Sequence, residues 1–323
     1  MKKRIIAALM AVMAISLILS GCTSHSKTKK ESGNNNGKLN IVTTLFPYYD
    51  FARQIAGDKA DISLIVPAGM DTHSFEPTTE DIINIQKADM FIYNGGTLEN
   101  WVSKVLKSID NNNQTRIKMM DFVDLLTEEH KEGMEDAHGK HDGHEEDEEI
   151  DEHIWTSPAN AKILVTEICS SLKTIDPENS DYYQANCDAY INSLTELDED
   201  FHNVTDNARV KTLIFADKFP LRYFTEEYGL DYYAAFSGCS TDTEPSVDTV
   251  KFLIDKVKSE KISTVYYLEL SSQKIADTIC SSTGAGKKIF YSCHNVTAKQ
   301  FDEGITYLDM MRDNLETLKE GLE

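Results

Sequence analysis

The sequence lacks the short motifs that mark most enzyme active sites. It contains no HExxH, no GxSxG, no P-loop and no GxGxxG after a predicted strand. Glu76, three residues after His73, could nominally act as the general base of a catalytic zinc, but it precedes Pro77 and is more typical of a helix entry. These absences predict that the chain is not an enzyme.

Basic residues are also scarce. The chain has 32 Lys and Arg against 54 Asp and Glu, which gives a net charge of −22 at pH 7. Nucleic acid and an anionic membrane surface would both repel such a chain, so we expect neither as a binding surface. About half of the acidic excess lies in residues 128–152. The acidic excess favours the attraction of cations.

Long apolar runs are absent except at the N-terminus. The run IIAALMAVMAISLIL follows the basic MKKR and is shorter than the roughly 20 residues that a membrane span needs, which is typical of a signal peptide over residues 1–21. The following LSGC resembles a bacterial lipobox, in which Cys22 carries the lipid; the alternative is an ordinary signal peptide with an incidental cysteine. Residues 22–38 are polar and predict a flexible tether. We therefore expect an extracytoplasmic protein, lipid-anchored to the outer face of the cytoplasmic membrane.

Cysteine pairs with metal-binding spacing are missing as well. No CxxC occurs among the six cysteines, which argues against a thiolate zinc site. Disulfides are permitted outside the cytoplasm, and Cys239 and Cys293 each follow a predicted strand, so they are a possible disulfide pair. Cys187 lies on the apolar face of a predicted helix and is expected to be a buried, inert thiol.

Short β-rich runs alternate with amphipathic helical segments from residue 39 onward. This alternation predicts an α/β fold whose parallel sheets are flanked by helices. Helix starts are marked by Thr78-x-x-Asp81 and by Thr297-x-x-Gln300 before the closing helix. The candidate strands are 39–44, 61–66, 90–93, 116–119, 211–216, 231–236, 263–268 and 288–291.

One long helix interrupts this alternation. Asp176-Pro177 opens it, and its apolar residues recur in steps of three and four. We interpret it as a linking helix (176–206) that packs on two lobes, an N-terminal lobe (39–175, with a His- and acid-rich loop at 128–152) and a C-terminal lobe (207–323). The apolar residues of the stripe are Tyr183, Cys187, Tyr190, Leu194, Leu197, Phe201 and Val204.

Three histidines are predicted to meet at one edge of the fold. In open α/β sheets, ligands bind beyond the carboxyl ends of the strands. His73 follows the second predicted strand, His153 precedes the helix opened by Pro158, and His294 follows the last strand. Imidazoles suit zinc, which needs few ligands in a tetrahedral site. We therefore predict a zinc site between the lobes.

The loop before His153 is a separate candidate. It places histidines among glycines and carboxylates that cannot form a core, so we expect a mobile loop that collects zinc weakly near the cleft. A solvated charge run without metal is the alternative. The accessory candidates are His130, His138, His141 and His144.

Four stretches of the sequence resemble a known protein family. TTLFPYYDFARQIAGD (43–58), VPAGMDTHSFEPTTEDI (66–82), ADMFIYNGGTLENWV (88–102) and DEHIWTSPANAKIL (151–164) resemble the solute-binding lipoproteins of zinc and manganese ABC importers, zinc-binding type. The resemblance covers essentially the whole chain after the tether. It implies two α/β lobes bridged by one rigid helix, with a metal buried between them.

The resemblance also implies a ligand set from which this chain departs. His73 and His153 match the family's first two metal histidines. The third family ligand, a His or Glu, falls at or beside Lys218, and the fourth, usually a carboxylate, falls at Asn295 beside His294. We infer that His294 takes over a ligand role, with Asp217, Glu269 or a water completing the coordination.

The same resemblance implies a receptor that captures Zn(II) and delivers it to an ABC permease with an ATPase subunit. We expect a monomer with no nucleic-acid partner. Manganese-selective relatives use two carboxylates and lack a His-rich loop, so three histidines favour zinc. A manganese receptor of the same family, or a surface adhesin that sequesters metal, is the alternative.

Overall fold

The N-terminal lobe is built on a four-stranded parallel sheet. The computed structural model describes residues 37–135, 149–238, 240 and 244–322. The strands are β1 (Leu39–Thr43), β2 (Ala60–Leu64), β3 (Met90–Tyr93) and β4 (Thr115–Lys118), in the order β2-β1-β3-β4. Helices α1 (Phe46–Ala56), α2 (Thr79–Lys87) and α3 (Asn100–Ser108) connect them. Three of the four β3 residues are buried, as expected for a parallel strand covered on both faces.

The C-terminal lobe repeats this strand order. Its strands are β5 (Thr212–Phe219), β6 (Asp231–Ser237), β7 (Thr264–Tyr267) and β8 (Gly286–Ile289), all parallel, in the order β6-β5-β7-β8. Helices α6 (Arg222–Tyr228), α7 (Val247–Glu260) and α8 (Lys274–Thr283) connect them. The chain closes with α9 (Ala298–Asp302) and α10 (Tyr307–Leu322). Each lobe is therefore one βαβαβαβ unit.

Two helices join the lobes along the chain. Helix α4 (Pro158–Ile175) has Pro158 in its first turn and is capped by Ser157, whose side chain accepts from the N–H of Asn160. Helix α5 (Ser180–Asp206) is 27 residues long. It packs against α1 and α4 on one side and α6 and α10 on the other, so it contacts both lobes as predicted.

The buried face of α5 differs from the prediction at its end. Six of the seven predicted stripe residues are buried, but Thr205 replaces Val204 as the last buried position. The Thr205 hydroxyl donates to the Phe201 carbonyl, which satisfies it inside the helix. A threonine can therefore end the stripe, since its only polar atom has an intrahelical partner.

One large core is shared by both lobes, with a smaller core under the outer helices of each. The shared core includes Phe51, Leu194, Phe215 and Met311. The described residues form a single compact unit, consistent with this shared core. None of the described helices is both long enough and apolar enough to cross a membrane.

All eight predicted strands are present, with ends that differ by up to three residues. Both predicted capping boxes form, at Thr78 and at Thr297. The capping box at Thr297 opens only the short α9, which Gly304, at positive φ, separates from α10. The prediction of one closing helix after Thr297 was therefore wrong.

The cysteine predictions have mixed outcomes. Cys187 is buried with a free thiol, as predicted. Cys293 is also a buried free thiol, which is at odds with the predicted disulfide. Its expected partner Cys239, like the lipidation candidate Cys22, lies outside the described residues.

Candidate metal centre

The three predicted histidines converge at the carboxyl ends of the strands. His73 lies in a helical turn after β2, His153 directly before the turn that leads into α4, and His294 in the segment after β8. One ring nitrogen from each lies within 4.8 Å of those of the other two. The ring centroids are 6.0 Å apart for His73 and His153, 5.5 Å for His73 and His294, and 5.4 Å for His153 and His294. Imidazole nitrogens at these separations can bind one metal ion.

His153 forms the floor of the site and is fully buried. The Asp151 carboxylate accepts its backbone N–H at 2.8 Å and lies 3.2 Å from its Nδ1. Tyr223 in turn donates to the Asp151 carbonyl at 2.8 Å. Nε2 of His153 is buried without a hydrogen-bond partner. A carboxylate on Nδ1 is the usual support of a metal-binding histidine, and it leaves Nε2 to face the ion.

The chain around His153 is held by a network in the N-terminal lobe. The Glu152 carboxylate accepts the N–H of Leu98 at 2.7 Å and hydrogen bonds from the N–H and hydroxyl of Thr97. The Asn94 amide donates to the Glu152 carbonyl at 2.9 Å, and Tyr48 donates to Asn94. This network ties the DEHIW motif to the NGGTLEN motif, and it fixes the position of the His153 backbone.

His73 and His294 form the partly exposed rim. The Asp71 carboxylate accepts the His73 backbone N–H at 2.9 Å. The Thr72 hydroxyl lies within hydrogen-bond distance of the His294 ring, so a residue of one lobe touches a predicted ligand of the other. The indole ring of Trp155 packs beside His294 with its centroid 5.1 Å away.

The three imidazoles have different proton affinities. Burial lowers the pKa of His73 to about 3, and repulsion from His153 and Lys218 acts in the same direction. Burial and the same like charges hold the pKa of His294 well below its ordinary value. Burial also lowers the pKa of His153, but the nearby carboxylates, Asp151 foremost, reverse this and leave it raised. At neutral pH, His73 and His294 are therefore ready to bind a cation.

The candidates for a fourth ligand are engaged elsewhere. Asp217 accepts the backbone N–H of Lys218 at 2.9 Å and that of Leu268 at 3.1 Å, one with each carboxylate oxygen. Glu269 accepts the N–H and the hydroxyl of Ser292 at 2.8 and 2.6 Å, and the N–H of His294 at 3.3 Å. Both carboxylates therefore organise the loops around the cleft.

The two positions that differ from the family pattern have defined contacts. Lys218 lies after a register shift in β5, lines the cleft, and has its Nζ 3.8 Å from an Asp71 carboxylate oxygen. Asn295 donates to the carbonyls of Pro67 and Met70 at 2.9 and 2.8 Å. Asn295 thus clamps the loop after β2, and its amide oxygen accepts the N–H of Val296 at 2.8 Å.

The base of the acidic loop lies across both lobes. Thr127 and Ile150 pair at its base, and Glu135 pairs with Phe236 of β6. The Glu135 carboxylate also accepts the N–H of Ser246 at the start of α7. Of the accessory candidates, His130 is exposed, whereas His138, His141 and His144 lie outside the described residues.

A second group of potential ligands lies between α5 and α6. Asp198, His202 and Glu227 come within 4.8 Å of one another. Asp198 already pairs with Lys162 at 2.9 Å and accepts from the Tyr228 hydroxyl at 2.7 Å. These partners account for the Asp198 carboxylate without a metal.

Sequence reasoning missed the residues that support the ligands. Asp151 was part of the quoted DEHIW motif, and its position two residues before His153 was the available signal. No local signal marked Glu269 or Asn295 in these roles, because their partners lie 23 and more than 200 residues away.

Residues 41–321 match the family described as ZnuA, zinc-uptake complex component A, periplasmic. The chain belongs to this family. The ZnuA family consists of solute-binding receptors and not enzymes, which confirms the class predicted from the sequence.

Individual members of the ZnuA family support the assignment. The chain is 33% identical over 316 residues to the high-affinity zinc uptake system protein ZnuA of Bacillus subtilis (strain 168), covering 97% of each protein. It is similar to the crystal structure of the metal-dependent lipoprotein YcdH of Bacillus subtilis, with a TM-score of 0.74, 33% identity, and coverage of 88% of this chain and 100% of that one. The Zn(II)-bound ZnuA-like domain of Streptococcus pneumoniae AdcA gives a TM-score of 0.73 and 32% identity, over 88% and 99% of the two chains. The two-lobe α/β fold is therefore confirmed.

Proposed function

We propose that this protein is an extracytoplasmic receptor that captures Zn(II) between its two lobes and delivers it to an ABC importer. The buried, unpartnered Nε2 of His153 carries the proposal. A buried nitrogen without a hydrogen bond is costly in an apolar surrounding, and a metal ion supplies the missing partner. Ring nitrogens of His73, His153 and His294 lie within 4.8 Å of one another, so the three residues can bind the same ion.

The donor set supports zinc as the cargo. All three candidate ligands are imidazoles, and nitrogen donors suit zinc, whereas manganese prefers oxygen. The printed names of the relatives describe zinc uptake and zinc binding. Their cargo supports the same choice for this chain.

The cleft is closed by bonds that cross between the lobes. Asn295 donates to Pro67 and Met70, and the N–H of Gly69 donates to the Val296 carbonyl at 2.7 Å. Release of the ion requires these contacts to break. We infer that a permease, driven by its ATPase subunit, supplies the binding energy that opens them.

The proposed membrane anchor, tether and domain boundaries rest on the sequence. We propose that the chain acts as a monomer held to the outer face of the cytoplasmic membrane by a lipid on Cys22, with residues 22–38 as the tether. The N-terminal lobe (39–175), the linking helix (176–206) and the C-terminal lobe (207–323) form the binding unit. Histidines 130, 138, 141 and 144 are proposed as weak accessory zinc ligands near the cleft.

Zinc titration of the His294→Ala variant tests the proposal. Removing a protein ligand should weaken zinc binding by at least about 100-fold, more than is typical for an outer partner. His202→Ala, which removes a half-exposed histidine of α5, is the matched control and should bind zinc as the unmodified protein does. Competition with a zinc indicator gives both constants.

Two results of this titration would contradict the proposal. If His294→Ala binds zinc as tightly as the unmodified protein, the assignment of His294 as a ligand is wrong. If the unmodified protein prefers manganese in direct competition, the cargo is manganese and the alternative receptor of the same family is correct.

A further inference from the structure

The described residues of the cleft provide three nitrogen donors and no free fourth ligand. Within the described residues, only His73, His153 and His294 form the group of potential ligands in the cleft. The Asp217 and Glu269 carboxylates lie nearby, but both accept backbone N–H groups of the cleft loops. Zinc in proteins is almost always at least four-coordinate. One position on the ion is therefore left open by the residues that the structure describes.

A positive charge lies beside this position. Lys218 lines the same cavity as the three histidines. The ion pair between the Lys218 ammonium and the Asp71 carboxylate, at 3.8 Å, is weak. The Asp71 side chain is 55% exposed, so solvent screens the attraction. An ammonium repels a bare divalent cation, but it attracts an anion that is bound to that cation.

The cavity also has room for more than a metal ion. Its volume is about 310 Å³, whereas a single water needs only roughly 10–15 Å³ of the same kind of space. Beyond the histidines it is lined by polar groups, including the Ser272 hydroxyl and the Lys218 ammonium. These groups can donate hydrogen bonds to an oxyanion.

We propose that the protein binds zinc together with a small oxyanion, of the carboxylate or carbonate type, that fills the fourth coordination position and pairs with Lys218. This inference rests on the proposed zinc site and specifies what completes it. The anion replaces the protein carboxylate that the family pattern places at position 295. Lys218 is a residue that selects the anion and does not bind the metal.

Cobalt(II), whose visible absorption reports changes in coordination, provides the test. The purified protein is loaded with cobalt in a buffer whose salt anion is perchlorate, and is then titrated with acetate or with bicarbonate. We expect a saturable change in the cobalt absorption bands with at least one of the two anions. Lys218→Met should weaken the binding of that anion by about tenfold or more, since it removes the charge and keeps the length of the side chain.

Lys251→Met, on the exposed surface of α7, is the control and should bind the anion as the unmodified protein does. Lys218→Gln serves as a second variant if Lys218→Met does not fold. A response to acetate assigns a carboxylate, and a response to bicarbonate alone assigns a carbonate-type ligand.

The inference is overturned if neither anion changes the cobalt spectrum of the loaded protein. It is also overturned if both Lys218 variants bind the anion with the affinity of the unmodified protein. A protein that takes up neither cobalt nor zinc in the cleft contradicts the proposed function itself. The outcomes are therefore distinguishable.

Discussion

The two lobes have the same strand order, yet they equip the cleft differently. His153 and His294 both follow the fourth strand of their own sheet. After the second strand, the N-terminal lobe places His73, whereas the C-terminal lobe places Gly238. A Cβ at Gly238 would lie 2.9 Å from the Phe219 carbonyl and 3.3 Å from Cε1 of His153. The C-terminal lobe thus has no room for a side chain at Gly238, where its backbone approaches Phe219 and His153.

The lobes also support their histidines by different means. In the N-terminal lobe, the Asp151 carboxylate contacts the ring of His153 itself. In the C-terminal lobe, the Glu269 carboxylate holds the backbone of His294, and the polar contact to its ring comes from the Thr72 hydroxyl of the opposite lobe. A carboxylate on the ring tunes both orientation and basicity, whereas a carboxylate on the backbone sets position alone. His153 is therefore the anchor, and His294 is the more adaptable ligand.

Of the variants that test this comparison, Asp151→Asn should reduce the zinc affinity most. It keeps the shape of the side chain but removes the charge that orients and polarises His153. We expect zinc affinity to fall by roughly 10–100-fold, the usual cost of losing an outer-shell partner. Indicator competition at neutral pH measures the change.

Glu269→Gln is the matched variant in the C-terminal lobe. It should weaken zinc binding less than Asp151→Asn, because one amide oxygen can still accept from the backbone and the ring of His294 is untouched. Equal losses in the two variants would show that the lobes support their ligands in the same way, against the comparison drawn above.

The pH dependence of zinc binding should report one histidine and not three. His73 and His294 have lowered pKa values and are already neutral, whereas His153 has a raised pKa and must release its proton. Affinity should be constant at high pH and fall as pH drops through the raised pKa of His153, above the ordinary value of about 6.5. The slope should approach about one proton per zinc.

Zinc titrations across this pH range, with the released protons measured in parallel, check that the affinity falls with falling pH and that about one proton is released per zinc. Asp151→Asn should move the onset of the fall to lower pH, because it removes the main cause of the raised pKa. A release of three protons near pH 6.5 would contradict the assigned difference between the histidines.

Deleting residues 136–148 should change the zinc affinity of the tight site least. The three ligands and their supports all lie outside this segment, so the tight site should keep its affinity within about twofold. Only weak additional zinc uptake, seen as extra ions at high zinc concentration, should be lost. A large loss of tight binding would mean that the acidic loop contributes a ligand.

The sequence predicted the elements better than the connections between them. Period-two and period-3.6 patterns are local, so all eight strands and the course of the long helix were predictable from residues close in the chain. His73, His153 and His294 were predictable for a related reason: each follows a strand or precedes a helix at one edge of the sheets.

What escaped the sequence were contacts between distant segments. The register shift in β5 carries that strand to Phe219, three residues beyond the prediction, and brings Lys218 to the cleft. Asp217 and Glu269 were considered as ligands, but their oxygens are committed to loops that come together only in the folded chain. Burial and hydrogen-bond partners of this kind have no periodic signature.

Trp155 gives the protein a built-in optical reporter. Its indole N–H donates to the Ser292 carbonyl of the opposite lobe at 2.9 Å, and its ring lies beside His294. The second of the two tryptophans, Trp101, packs in the outer core of the N-terminal lobe against Phe75. Tryptophan fluorescence that changes with the cleft therefore comes from a single known position, and it can follow loading and opening without any label.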